Sequence, residues 1–467
     1  MPRRPNIILC IFDQLRAFEV GCYGNPVIRT PALDRLAREG VRWQTAVTNY
    51  PVCMAARSAL LSGQYNRTCT GGVSNVNFKT VGGDCAMPEY PFAGRPHLPD
   101  ATLPELLRAQ GYHTAAIGKW HIHSWPQDVG FDEYVIPRVH HCHTGQSYTE
   151  NGGPEFVPSG YSLDFEVDRV GRFLRRRAAE QEPFFLYANI SPPHCPMSDA
   201  PDAYTTMYGR DDVPVRRNAE PGRRLDHQDY HFKVYRWDFR HYSFHLPYTE
   251  PLPEGFGLRD ILALYYGATT WADSALGRML TALDEAGLAD ETIVVVTSDH
   301  GDNLGSHGLV QKGTPNEESI RVPLLARWPG RLPAGAVAGE GLASLVDLAP
   351  TLLELSGLEP PPHMHGVSLA PALRGEPGKA PDAGIVEMGH GVAVRTADRM
   401  AFIPFDAERR LAAAGTRLYD LQADPYELQN LAGDPAHAAE QAELERRIRE
   451  WDARTPWMAP VDGEAKA

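Results

Sequence analysis

Two apolar runs constrain this chain more than any other feature. Asn6-Ile7-Ile8-Leu9-Cys10-Ile11-Phe12 and Thr292-Ile293-Val294-Val295-Val296-Thr297 show no polar/apolar alternation. That is the pattern of strands buried on both faces, found in parallel sheets covered by helices. The first run leads at once into Asp13-Gln14 and the second, after Ser298, into Asp299-His300. Open α/β sheets gather ligands beyond the carboxyl ends of their strands, so neighbouring strands would bring the two pairs together. From the residues alone, Asp13 reads equally as a metal ligand or as a turn residue.

Helical signals alternate with further strands, which places the chain in the α/β class. Residues 30–40 carry an N-cap, Pro31 at the first helical position and Gly40 past the end, with Leu33, Leu36 and Ala37 as the apolar face. Residues 41–47, 112–117 and 184–190 read as strands, and 102–110, 162–181 and 259–287 as helices. Arg172, Arg175, Arg176 and Arg177 form the expected solvated face of the second of these helices. Residues 317–323 read into another strand. A Pro/Gly-rich stretch at 359–381 is the expected boundary between a larger domain (1–375) and a smaller subdomain (376–467). The latter is predicted to hold antiparallel strands at 392–404 and 417–421 and a closing helix at 437–454.

Chemistry-bearing residues fall at the ends of these elements. Pro51-Val52-Cys53-Met54-Ala55-Ala56-Arg57-Ser58-Ala59-Leu60-Leu61-Ser62-Gly63 reads as a short helix ended by Gly63. Cys53 then sits at its N-terminus, where free N–H groups and the dipole favour an anion. Arg57, one turn on, can reach the same place and grip a tetrahedral oxyanion. A cysteine near a helix start also serves as plain buried packing, and both readings stand.

In Gly118-Lys119-Trp120-His121, Lys119 and His121 point the same way on an extended segment. They form either an exposed basic loop or a cation beside a proton-transfer group. His194 follows Pro192-Pro193 on a rigid turn. The run His140, His141 and His143 lacks acidic partners for a metal and is assigned to a loop near the pocket. Residues 66–99 read as an irregular loop close to Cys53, where Asn75 or Asn77 could touch a substrate. Residues 197–257, dense in Tyr, His, Arg and Pro, read as a substrate-selecting wall or lid.

These motifs, in this order, resemble the type I sulfatases of the alkaline phosphatase superfamily. The resemblance rests on Cys53-x-x-x-Arg57 with Ser58-x-Leu60-Leu61-Ser62-Gly63, on Gly118-Lys119-Trp120-His121, and on Ser298-Asp299-His300-Gly301-Asp302. It continues through Leu304-Gly305-Ser306-His307-Gly308-Leu309 with Lys312-Gly313-Thr314, and through Leu418-Tyr419-Asp420-Leu421 with Asp424-Pro425 and Glu427-Leu428-Gln429-Asn430-Leu431. It spans residues 6–431.

The resemblance implies an alkaline phosphatase-like mixed, mostly parallel sheet flanked by helices, with a smaller C-terminal α+β subdomain. It implies hydrolysis of a sulfate monoester, of a small molecule or a glycan, by formylglycine that a maturase makes from Cys53. One divalent cation, Ca²⁺ or alternatively Mn²⁺, would be held by Asp13, Gln14, Asp299, His300 and residue 53 itself. Arg57, Lys119 and Lys312 would neutralise the sulfate oxygens. His194 would protonate the departing alcohol, and His121 would take the proton that lets the aldehyde re-form. One departure is Ala55, where the family usually has proline.

The Asp13-Gln14 pair is reminiscent of the phosphonate monoester hydrolase branch, which gives phosphodiester or phosphonate hydrolysis as an alternative. A non-catalytic anion-binding protein with unmodified Cys53 is a second alternative, and His121 and His194 count against it.

Composition narrows the partners. With 59 acidic against 45 basic residues and a formal charge of −14 over 467 residues, the chain is not built to bind nucleic acid. Seven scattered cysteines suggest reduced thiols. The run at 7–12 is too short for a signal peptide, and no run has transmembrane length. The expectation is a cytoplasmic protein without a membrane partner, with homo-oligomerisation left open.

Overall fold

Alternate side chains of the strand Asn6–Asp13 enter two different cores. Ile7, Leu9 and Ile11 pack with Leu60, Leu61, Leu103, Leu107 and Leu352 on one face. Ile8, Cys10 and Phe12 pack with Leu33, Leu36, Phe173, Leu174, Trp271 and Leu276 on the other. Period-two geometry sends successive residues to opposite faces, so an unbroken apolar run requires cover on both sides. A computed structural model of the chain describes residues 4–75, 79–81, 84–86, 95, 97–122, 124–137, 142–219, 254–338, 341–376 and 380–458.

The sheet has nine strands, in the order Ala336–Ala338, Val41–Trp43, Leu324–Arg327, Thr292–Ser298, Asn6–Asp13, Phe184–Pro193, His113–Gly118, Glu133–Pro137 and Tyr148–Glu150. Its centre is parallel: Asn6–Asp13 pairs in that sense with both Thr292–Ser298 and Phe184–Pro193, and the latter with His113–Gly118. The flanking pairs made by Leu324–Arg327 and by Tyr148–Glu150 are antiparallel, so the sheet is mixed. Helices Pro31–Glu39, Ser162–Ala178 and Leu258–Glu285 cover one face. Cys53–Ser62, Leu103–Arg108 and Leu348–Leu355 cover the other. Among the described residues, no helix is long and apolar enough to cross a membrane.

A second, antiparallel sheet follows, in the order Ala383–Met388, Gly391–Thr396, Arg399–Pro404, Arg417–Asp420. The helix Ala438–Arg454 lays Leu444, Ile448 and Trp451 on one of its faces. The opposite face packs on Val47, Ile320 and Leu342 of the larger body.

Several local expectations need correction. Residues 41–47 are two short strands in different sheets, Val41–Trp43 and Ala46–Val47. Residues 317–323 begin with a helical turn, Glu317–Ile320, before Arg321–Val322 extends. The 392–404 strand is a hairpin of two. Arg177 is buried, not solvated, and pairs with Glu180 and Glu182 beyond its own helix end. The 66–99 segment is not wholly irregular, since it contains the turn of helix Asn66–Cys69 and the paired strands Lys79–Val81 and Asp84–Ala86. Asn77, His140, His141 and most of the 197–257 lid lie outside the described residues, and Asn75 is exposed.

Candidate active site

Four adjacent parallel strands end along one edge of the large sheet, and each delivers a candidate site residue there. Phe12 is level with Ser298, Asp13 with Pro193, and Gly118 with Asn189. The residues at or just beyond these ends are Asp13 and Gln14, Asp299 and His300, His194, and Lys119 to His121. Gly118 makes this convergence possible, because it has φ +90° and a side-chain Cβ there would lie 2.0 Å from the Asn189 carbonyl oxygen. Only glycine tolerates that turn so close to a neighbouring backbone. Gln14 (φ 69°) and His121 (φ 46°) also adopt left-handed backbones, a strain that concentrates at functional positions.

The helix Cys53–Ser62 brings its N-terminus to the same edge, and all ten of its residues are buried. The Cys53 Sγ lies 3.1 Å from His300 Nε2, 3.6 Å from Asp13 Oδ1, 3.1 Å from Lys312 Nζ and 3.7 Å from Lys119 Nζ. His121 and His194 also interact with the sulfur. Burial disfavours a thiolate, but Lys119, Lys312 and His300 outweigh it and hold the thiol well below its ordinary pKa. The sulfur is therefore the focus of the site's positive field, a setting that plain buried packing does not account for.

The carboxylates respond to the same field in opposite directions. Burial and the Cys53 charge push Asp13 up, yet Lys119, His194 and Arg57 keep it below the usual carboxylate range. Lys119 makes a close ion pair with it. Asp299 is raised, by burial first and by the Asp13 charge second. Burial lowers His121, and burial with Lys312 brings His194 down to about 4. The His194 Nδ1 lies 2.7 Å from the Cys195 carbonyl, which fixes the ring with its other nitrogen toward the site.

Arg57 does not present its guanidinium to open space. It donates from Nε to Asp299 Oδ2 at 2.9 Å, from Nη1 to Asn189 Oδ1 at 2.6 Å and from Nη2 to Asp13 Oδ2 at 3.3 Å. The expectation that it grips a substrate oxyanion is corrected accordingly: it clamps the two carboxylates. Gln14 lies one step off the carboxylates. Its amide donates to Asp302, its Oε1 accepts from Lys312 Nζ at 2.8 Å, and its backbone N–H donates to Asp299 Oδ1 at 3.1 Å. His143 belongs elsewhere, edge-on against Trp271 with Ser162 and Asp199 as partners.

Asn189 escapes a reading of the motifs, and Asp302, although it stands in one of them, has no role assigned by it. Asn189 is a polar residue inside the apolar strand Phe184–Pro193, and that interruption is its only sequence signal. Asp302, buried beyond His300, holds the Gln14 side chain.

Asp13, Cys53, Asp299 and His300 each offer one ligand atom, all within 4.8 Å of one another. The His300 Nδ1 is engaged by the Gly301 carbonyl at 2.8 Å, so Nε2 turns into the cluster, 3.6 Å from Asp299 Oδ1. Two carboxylates, an oriented imidazole and the adjacent Gln14 amide oxygen fit a hard divalent cation.

The family model for Sulfatase matches residues 5–358, and that for the N-sulphoglucosamine sulphohydrolase C-terminal region matches residues 305–454. An ulvan-active sulfatase of Formosa agariphila is 29% identical, covering 96% of this chain and 81% of the relative. A structure solved with its substrate D-glucosamine-2-N,6-O-disulfate superposes with a TM-score of 0.78 at 26% identity, covering 97% of this chain and 98% of the other. The phosphonate monoester hydrolase of Agrobacterium radiobacter superposes with a TM-score of 0.72 over 97% of this chain and 96% of its own, at 22% identity, a likeness of fold alone.

Proposed function

The chain belongs to the sulfatase family, within the alkaline phosphatase superfamily, and on that premise we propose that it hydrolyses a sulfate monoester of a glycan through a nucleophile made from Cys53. One observation carries this reading: the ammonium groups of Lys119 and Lys312 and the ligand atoms of Asp13, Asp299 and His300 all converge on one sulfur.

Asp13, Asp299 and His300, with Gln14 beside them, would hold one divalent cation, Ca²⁺ or Mn²⁺. Such an ion supplies Lewis-acid charge at the reacting oxygens. Residue 53, once a maturase has converted it to formylglycine, supplies a hydrated aldehyde as nucleophile and a second hydroxyl for release of sulfate. Lys119 and Lys312 bind the sulfate oxygens and offset the charge that builds on them. Arg57 acts at one remove, keeping Asp13 and Asp299 apart and oriented against Asn189. His194, its ring fixed by the Cys195 carbonyl, would protonate the departing alcohol once the negative charge of a bound sulfate ester had raised its lowered pKa. His121, buried beside residue 53, is placed to receive the proton of its second hydroxyl. The sugar assignment draws on the ulvan-active relative and on the solved complex with a glucosamine disulfate.

The test is the mass of the peptide containing residue 53 together with sulfate release from a panel of sulfated sugars. An aldehyde in place of the thiol, reactive to hydrazine, is the expected result despite Ala55. Active protein carrying only an alkylatable thiol would overturn it. Gln14 beside Asp13 supports phosphonate or phosphodiester hydrolysis as a second reading, and the same panel extended to those esters ranks the two.

A further inference from the structure

Lys312 approaches the site from a hairpin, and that hairpin is held from the side remote from the reaction. At its base, the Asn303 backbone N–H and side-chain amide donate to the Gln311 carbonyl at 2.6 and 2.8 Å, and Thr314 Oγ1 donates to Asn303 Oδ1 at 3.0 Å. These bonds bracket Lys312, whose Nζ reaches Gln14 Oε1 at 2.8 Å and Cys53 Sγ at 3.1 Å. They fix the hairpin's shape but not its direction.

Direction comes from the tip. His307 sits there with φ 57°, and its backbone N–H donates to the Asn218 carbonyl at 2.8 Å. Its Nε2 lies 3.7 Å from Glu318 Oε2 and 3.6 Å from Glu427 Oε2. Both carboxylates are buried, and Glu427 arrives from the segment that follows the C-terminal sheet. Asn316 Nδ2 and the Glu317 N–H fix Glu427 Oε2 at 3.2 and 3.1 Å. Asn218 Nδ2 donates to Glu318 Oε1 at 2.8 Å and to the Tyr426 carbonyl at 3.1 Å.

These ligand atoms are close enough to suggest a second cation site, but the charges are already matched. Arg395 neutralises Glu317 and Arg216 neutralises Glu318, while the imidazole faces Glu427. Although burial disfavours its charge, Glu318 and Glu427 raise His307 to about 9, while burial raises Glu427 to about 7, so the His307–Glu427 pair holds a proton at neutral pH. The cluster is a closed ion-pair clasp.

We infer that His307 and Glu427 are positioning residues for Lys312, and that the clasp between them lets the C-terminal part of the chain set how the Lys312 ammonium meets residue 53. A buried ion pair makes a poor source of net stability but a stiff geometric constraint, which suits it to this task. The catalytic consequence rests on the sulfatase reading. The mechanical part does not.

The experiment compares full-length His307→Gln, Glu427→Gln, Lys312→Ala and the His307→Gln/Lys312→Ala double variant. Glu427→Gln keeps an acceptor for Asn316 and Glu317 and guards against a His307 variant that fails to fold. Each clasp variant should lose turnover by about a hundredfold, the scale of a one-ångström misplacement, with KM changed far less. In the Lys312→Ala background the His307 substitution should cost nothing further, because the two act as a unit. Multiplicative losses in the double variant would overturn the proposal. Hydrogen exchange supplies the arm that needs no activity. Amides of 303–314 should lose protection in both clasp variants while those of Thr292–Ser298 keep theirs, and unchanged protection of 303–314 would refute the clasp even if the wild type released no sulfate.

Discussion

Asn189 Oδ1 accepts a 2.6 Å hydrogen bond from Arg57 Nη1, and through it a neutral residue of a central strand sets the position of both site carboxylates. Asn189→Ala would leave a buried guanidinium N–H unpaired. A stability loss of about 1–3 kcal/mol is expected, together with a fall of about tenfold to a hundredfold in metal affinity, as when a partner behind a ligand is lost. Urea unfolding and metal titration measure the two, and unaltered metal affinity would reduce Asn189 to a packing residue.

Asp299 is one of the residues proposed to hold the metal. Asp299→Ala is expected to lose the bound metal and activity while keeping the far-UV dichroism of the wild type, and exhaustive chelation of the wild type should give the same inactive state. Full turnover after either treatment would remove the metal from the mechanism.

His194 is assigned to the leaving-group side. His194→Ala should slow esters of poor leaving groups by about 10²–10⁴-fold, the usual range for general acid catalysis, and activated nitrophenyl esters much less. Equal losses across a leaving-group series would give the residue a positioning role instead.

Glu166 gives a pH signature away from the chemistry. It is buried, accepts the Tyr148 hydroxyl at 2.8 Å, and burial raises its pKa to about 8. The folded state holds its proton where the unfolded state has released it, so the contribution is fully present below the unfolded value of 4.5 and is lost as pH rises through about 8. Stability should fall across that window by about 1.4 kcal/mol per pH unit from this group. Glu166→Gln should flatten the decline in melting temperature, and parallel wild-type and variant curves would show Glu166 ionised throughout.

The frame of the fold was legible because its strands are apolar runs that stop at charged residues. Asp13 and Asp299 announce themselves as the first carboxylates after Ile11-Phe12 and Val296-Thr297. Spacing on a helix tells which side chains share a face, but not what they meet, which is why Arg57 reads as a substrate ligand and proves to be a carboxylate clamp. Asn189 stays hidden because its role depends on register between strands distant in sequence, and Asp302 stands in a motif that does not tell that it meets Gln14. The strand Ala383–Met388 was missed for a related reason. It carries Gly384 and Glu387, poor strand residues in isolation, yet Glu387 is a buried partner of Arg67 at 2.7 Å.

The complete burial of the helix Cys53–Ser62 has a consequence for timing. An enzyme that modifies Cys53 must seat that residue and its neighbours in its own cleft. In the finished protein those neighbours are inside the core, with Arg57 locked to two other strands. If Cys53 is converted as proposed, the conversion would fall on the nascent chain, before the later strand Thr292–Ser298 docks and closes the site. Under that proposal, a chain that folded ahead of its modifying enzyme would keep the thiol, and the active fraction would be decided by a race during synthesis.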